Sequence, residues 1–203
     1  MATKLGIFNR ALNKIAELKI SGIGEDSVNN RLLESNWDDD RKAVLEMHSW
    51  RFARKLEVLQ LTTAPAFGYA NAFRLPADFI KLVYFNNIDP EYRETKFFEI
   101  NGQEIHTDQD SAKVTYIRDL DSPGLFTGGF TEALATYMAN NIAYHRTKDQ
   151  GLMDRMDARF EKAMARAKRA DASGNNTPPP ALSAYPNLGA RFGYTKWPVV
   201  TNP

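Results

Sequence analysis

The chain has 203 residues, with 26 lysines and arginines against 25 aspartates and glutamates, so its net charge of +1 exerts no overall pull on nucleic acid or anionic membranes. It has no cysteine, which excludes a disulfide framework or a thiolate site and suits a reducing compartment. The start, MATKLGIFNRALNK, lacks the apolar core and cleavage site of a secretory signal, and no apolar run approaches the roughly 20 residues of a membrane span, so a soluble protein is expected.

From Lys4 to Ile20, Leu5, Phe8, Leu12 and Ile15 recur at helical spacing, and Gly22 and Gly24 supply a stop. Ser27 is a good N-cap for a second helix over residues 27–49, with Leu33, Trp37, Val44 and Leu45 on its apolar face. The acidic triplet Asp38, Asp39 and Asp40 interrupts this pattern, so a break near Ser35 is one reading; the triplet itself reads as a solvated face. Trp50 and Phe52 then flank Arg51, the alternation of an extended exit.

The β region covers residues 55–118. Short β-branched or aromatic runs appear at Lys55–Thr62, Asp78–Phe85, Lys96–Ile100, Gln103–Thr107 and Lys113–Ile117, punctuated by glycine, proline and asparagine. Asn101-Gly102 marks a hairpin whose two central residues would take positive φ. The gaps are too short for crossover helices, so an antiparallel sheet is expected. Helix returns over residues 130–147, with Phe130, Leu134, Met138 and Ile142 on one face. After a turn at Lys148–Gly151, capped by Asp149, a last helix over 149–170 shows Leu152, Met156, Phe160, Ala163 and Ala167. Strands inserted between helical ends give an α+β class, expected as an antiparallel bundle of about four helices with a small antiparallel β region. Residues 1–171 form one domain.

The last 32 residues, Ala172 to Pro203, cannot build a fold of their own. They hold six of the ten prolines, no acidic residue, only Arg191 and Lys196 as cations, and the aromatics Tyr185, Phe192, Tyr194 and Trp197. A disordered tail is ordinarily rich in charge and poor in aromatics. Proline keeps a chain extended, and residues such as tyrosine and tryptophan anchor interfaces. The segment reads as an extended C-terminal arm laid on a partner; at full stretch it would span about 100 Å.

Chemistry-bearing patterns are sparse, and neither a cofactor nor a metal site is expected. His48, His106 and His145 lie in different elements with no second ligand at helical spacing, and zinc needs three or four converging donors. Gly22-Ile23-Gly24 reads as a helix C-cap, not a phosphate loop, because it follows a helix. Asp108 and Asp110 read as a solvated turn. One stripe stands out. Arg155, Arg159, Lys162, Arg166 and Arg169 follow spacings of four, three, four and three, which puts them on one helical face, with Asp154, Asp157 and Glu161 close by and trimming their field; the row reads as a solvated face, or as one turned to an acidic surface on a neighbouring subunit or to a DNA backbone.

The string ESNWDDDRKAVLEMHSWRFARKLEVL, Glu34 to Leu59, resembles the signature of the head-to-tail adaptors of short-tailed double-stranded DNA phages, the tail tubular protein A family and related tail accessory factors. That pattern is carried by Trp37-Asp38, Arg41, Leu45 and Trp50-Arg51-Phe52-Ala53. FRLPADFIKLVYF is similar to the family's Leu-Pro-x-Asp segment through Leu75, Pro76 and Asp78, EINGQEIHTD resembles its hairpin, and residues 130–171 resemble its paired C-terminal helices. The resemblance implies a structural virion protein of the head–tail junction and no enzyme. It implies a ring, commonly of twelve copies, that docks under the portal and continues the DNA channel to the tail nozzle without reading sequence. The helical part would pack side by side around the ring, the β part would face the tail, and the arm would reach along the portal. Two rivals stand beside it: a DNA-binding virion or accessory protein using the basic stripe, and a tail-associated hydrolase, for which Glu99, Glu104 and Asp108 are the candidate carboxylates.

Overall fold

The structure is a computed structural model that describes residues 1–62, 65, 68–87, 97–147 and 150–173. The chain divides into two units, Met1–Asp171 and Ala172–Pro203. Of the second, only Ala172 and Ser173 are described, as the end of the last helix. Among the described residues the class is α+β, with helices α1 (Lys4–Lys14), α2 (Val28–Glu46), α3 (Gly128–Thr147) and α4 (Gln150–Ser173) and six short strands.

α1 begins at Thr3, whose hydroxyl accepts the Gly6 amide, and ends six residues earlier than its apolar pattern suggests. Ala16 turns left-handed at φ 59°, and the amides of Ala16 and Glu17 bond back to Asn13 and Leu12, which closes the last carbonyls in a Schellman arrangement without glycine. Gly22 and Gly24 therefore do not cap a helix; they lie in the turns before α2. Ile20 still reaches the core, because the Asn9 side chain bonds both its amide (2.9 Å) and its carbonyl (3.0 Å).

Ser27 caps α2 by accepting the Asn30 amide at 3.2 Å. The helix is continuous through Ser35 and through the acidic triplet; Asp38 pairs with Arg41 one turn on, and Asp40 accepts from Asn141 of α3. The chain leaves α2 through a short 3-10 turn, Arg51–Ala53, not in an extended form. The turn carries Trp50 and Phe52 into a cluster with Phe126 and Phe130, with ring centroids 5.0 to 6.0 Å apart.

The strands form two three-stranded antiparallel sheets where one was expected. β1 (Arg54–Val58), β6 (Lys113–Arg118) and β3 (Phe79–Phe85) make the first, with β6 in the middle. β2 (Asn71–Arg74), β5 (Glu104–Thr107) and β4 (Phe98–Asn101) make the second, with β5 in the middle. β2 has no counterpart in the sequence reading, since NAFR is too short to alternate visibly. The β4–β5 loop is Gly102-Gln103, and only Gly102 (φ 61°) is left-handed, so the hairpin has its glycine at the first central position, as type II′ requires.

Two cores follow from this layering. The larger gathers Phe8 and Leu12 of α1, Leu33 and Trp37 of α2, and Phe130, Leu134 and Met138 of α3, closed by Val83 and Ile117 of the first sheet. The smaller lies between the sheets and holds Phe73, Leu75, Phe85, Ile105, Val114 and Tyr116. Adjacent residues Tyr116 and Ile117 thus serve opposite cores, as strand alternation demands. In β3, two register shifts let Phe79, Leu82 and Phe85 share the smaller core at a spacing of three; bulges produce that phase.

α3 lies centrally and is buried almost all round, which suits its alanine-rich sequence. It opposes α1 in direction (Lys14 meets Glu132), α2 (Trp50 meets Phe130) and α4 (Tyr137 meets Phe160). α1 and α2, by contrast, run in the same direction, with Lys4 on Glu34 and Phe8 on Trp37. Residues 15–27 carry the chain back to make that possible. The turn expected over Lys148–Gly151 is helical by Gln150, and its first two residues lie outside the described ones.

Candidate functional site: a basic groove beside the last helix

α4 packs on α3 through small residues. A Cβ built on Gly129 would stand 3.0 Å from the Ala167 Cα, so the two helices touch backbone to backbone there. α4 buries Met156, Met164 and Ala167 and half-buries Leu152, Phe160 and Ala163, while its cations stay exposed. Between α4, α3 and the end of α1 runs a groove of about 380 Å³. Gly129, Ala163, Ala167 and Ala170 give it a small-residue floor, and Lys14, Arg159, Lys162 and Arg166 give it a cationic rim.

Among the described residues the one carboxylate lining the groove, Glu132, is already engaged. It pairs with Lys14 and, at 3.8 Å, with Arg10. Arg159 reaches across to the Lys14 carbonyl at 3.5 Å. No ion pair joins Lys162, Arg166 or Arg169 to a carboxylate among the described residues. Asp154, Asp157 and Glu161, the acidic residues near the stripe in sequence, lie off the row of cations. At about 100° per residue the five cations fall within roughly 40° of one direction, whereas Asp154 and Glu161 lie roughly 100–120° away. Asp157 points elsewhere and accepts the Asn140 amide at 2.6 Å. Sequence spacing exposed the α4 stripe; it held no sign of Lys14, Arg10 or Glu132, which arrive from α1 and α3.

The residues that carry the family resemblance are interior fasteners. Arg41 is 2% exposed and reaches Asp38 at 3.0 Å, Asp119, and Asp121 at 3.5 Å, while the Trp37 indole donates to Asp121 at 3.1 Å. This ties α2 to the chain leaving β6. The triplet is therefore not a uniform solvated face. Asp38 and Asp39 are exposed, but Asp40 is buried at 5% exposure, accepts the Asn141 amide from α3 and leaves its second oxygen without a partner. Burial pushes the Asp40 carboxyl up to about 6.

Leu75 is buried between the sheets, and Pro76 starts the turn into β3 that places Asp78. The Tyr116 hydroxyl donates to Asp78 at 2.7 Å and lies 3.1 Å from Glu57, and Lys55 holds both carboxylates at 3.1 and 3.3 Å. Burial and the Asp78 contact push the Tyr116 hydroxyl up, keeping it a neutral donor; the Tyr116 hydroxyl and Glu57 push the Lys55 ammonium up. Every polar group in this cluster is matched to another, so it binds strand to strand.

His48 is half-buried, stacks edge-on against Trp50 at 4.7 Å and meets the Asp171 carboxylate at 3.2 Å; burial holds its imidazole below the usual value. Asp171 also accepts the Arg51 amide, so the end of α4 is fastened to the corner after α2. The hairpin carboxylates are dispersed. Glu104 is held by Thr62 and His106, Asp108 by the Ala70 amide, and Glu99 lies across the ladder from His106. Among the described residues no group of three or more histidines, aspartates and glutamates could hold a metal ion, and no helix is long and apolar enough to cross a membrane. The arm aromatics Tyr185, Phe192, Tyr194 and Trp197 lie outside the described residues. The sequence matches no protein-family model and no curated protein.

Proposed function

We propose that the chain is a structural head-to-tail adaptor of a short-tailed phage virion. Copies form a ring at the head–tail junction, joining the portal above to the tail nozzle below and continuing the channel through which the genomic duplex passes. The observation that carries this reading is the clamp that buried Trp37 and Arg41 make with Asp38, Asp119 and Asp121. Trp37, Asp38 and Arg41 belong to the stretch that resembles the adaptor signature, and their spacing has a physical purpose. An aspartate three residues before an arginine on a helix shares its face, and the fork of a guanidinium can engage several carboxylates at once. Trp50, Phe52 and Asp78, from the same signature, also lie at joints between elements.

In this reading α1 to α4 act as the helical bundle of the ring wall, the two sheets face the tail, and the segment after α4 is an arm along the portal. Its four aromatics could each bury about 150–250 Å² in pockets, and each bound arm raises the effective concentration of the next. The test is reconstitution with a portal protein from the same phage. The full chain should form rings on portal particles, visible by electron cryomicroscopy, and a chain ending at Ser173 should keep its fold yet fail to bind. A truncated chain that assembles with unchanged affinity refutes the role of the arm. A full chain that ignores the portal refutes the adaptor.

A further inference from the structure

We propose that the groove between α1, α3 and α4 is a contact for the sugar–phosphate backbone of double-stranded DNA, gripped by the five cations along α4. The stripe from Arg155 to Arg169 extends about 21 Å at 1.5 Å per residue, with neighbouring charges roughly 4.5–6 Å apart along the axis. That is a line of charge, suited to a regular polyanion, not a convergent nest for one compact anion. Lys162 and Arg166, at the groove itself, have no described carboxylate within ion-pair distance, and the acidic residues of α4 point away from this face.

The form of nucleic acid follows from what the groove lacks. Single strands are held by bases stacked on aromatic rings, and among the described residues no aromatic side chain lines this groove. An acidic peptide would need pockets for apolar anchors, and the alanine floor offers none. Phosphate contacts without base contacts position a duplex but carry no sequence preference. The inference rests on the adaptor reading only for the source of the duplex, the genome in the channel. A contact with about five cations is weak and reversible at physiological salt, so a moving duplex would not be trapped.

The test measures binding of the full-length protein to two short labelled duplexes of unrelated sequence between about 50 and 200 mM salt, with a single strand and polyglutamate as competitors. Equal affinity for both duplexes is expected, with log K falling against log salt at a slope no steeper than about −4.5, which is 0.9 for each of five phosphates. Lys162→Glu/Arg166→Glu should lower the affinity at least tenfold, and the neutral pair Lys162→Gln/Arg166→Gln should flatten the slope by about 2. Unchanged binding by the neutral pair overturns the proposal, as does competition by polyglutamate or by the single strand that exceeds the duplex. Portal binding by the same proteins separates the two readings. Salt-dependent duplex binding by a chain that ignores the portal supports the groove and removes the adaptor; the reverse result removes the groove alone.

Discussion

At the scale of single residues, two buried charges on one helix turn have opposite fates. Arg41 is surrounded by Asp38, Asp119 and Asp121, so replacing it takes the guanidinium from all three and leaves Asp119 with Lys42 at 3.5 Å. Removing one partner of a fully buried ion pair costs about 3–5 kcal/mol; these carboxylates are 28% to 67% exposed and water can replace part of the loss, so Arg41→Ala should lower the unfolding free energy by less than that in urea titrations. Arg41→Lys should recover only part of it, because an ammonium is a point charge without the fork. Asp40 is the reverse case. Its folded pKa of about 6 lies above the unfolded value near 3.8, so between those limits the native state binds a proton the unfolded chain does not. Stability therefore falls as pH rises from about 4 to about 6, by roughly 3 kcal/mol for this group if burial is undisturbed. Asp40→Asn should be more stable than the parent at pH 7.5 and equal to it near pH 3.5, and a difference that does not change with pH would disprove the assignment.

At the scale of elements, α4 depends on its neighbours for its place. Its apolar stripe is narrow and its exposed face carries both signs of charge, so intrinsic helicity and a thin seam against α3 hold it. The close approach at Gly129 and Ala167 makes that seam sensitive to volume. Gly129→Val should cost about 1–3 kcal/mol through overpacking and should raise amide exchange in α4 before α2. An exchange pattern that loosens α2 equally would show that the two helices open together. Helix existence and type were legible here because 3.6-residue periodicity is local; the end of α1 was not, because a left-handed alanine closed it where glycine was expected. The same limit hid β2, whose partner β5 is more than 30 residues away in the chain.

At the scale of the whole molecule, the adaptor reading requires a chain that is stable alone yet completed by partners. The free protein should sediment as a monomer of 22.9 kDa and form rings only when portal is added; a stable free ring would show that subunit contacts suffice without the portal. Of the candidate surfaces, half of the groove could be read from the sequence. Spacing alone aligned Arg155 with Arg169, because one helix sets that geometry. The contribution of Lys14 and the withdrawal of Asp157 to Asn140 depend on packing between helices distant in the chain.

The sequence by itself determined the α+β class, the helical segments, the antiparallel pairing and the cationic row, since each follows from short-range periodicity and the lengths of the gaps. Only the tertiary structure decided that the strands split into two sheets with a core on either side of β6, that Arg41 and Asp40 turn inward from one acidic stretch, and that the cationic row borders a groove. Those outcomes depend on which faces meet, and a face is completed by residues that the chain supplies tens of positions away.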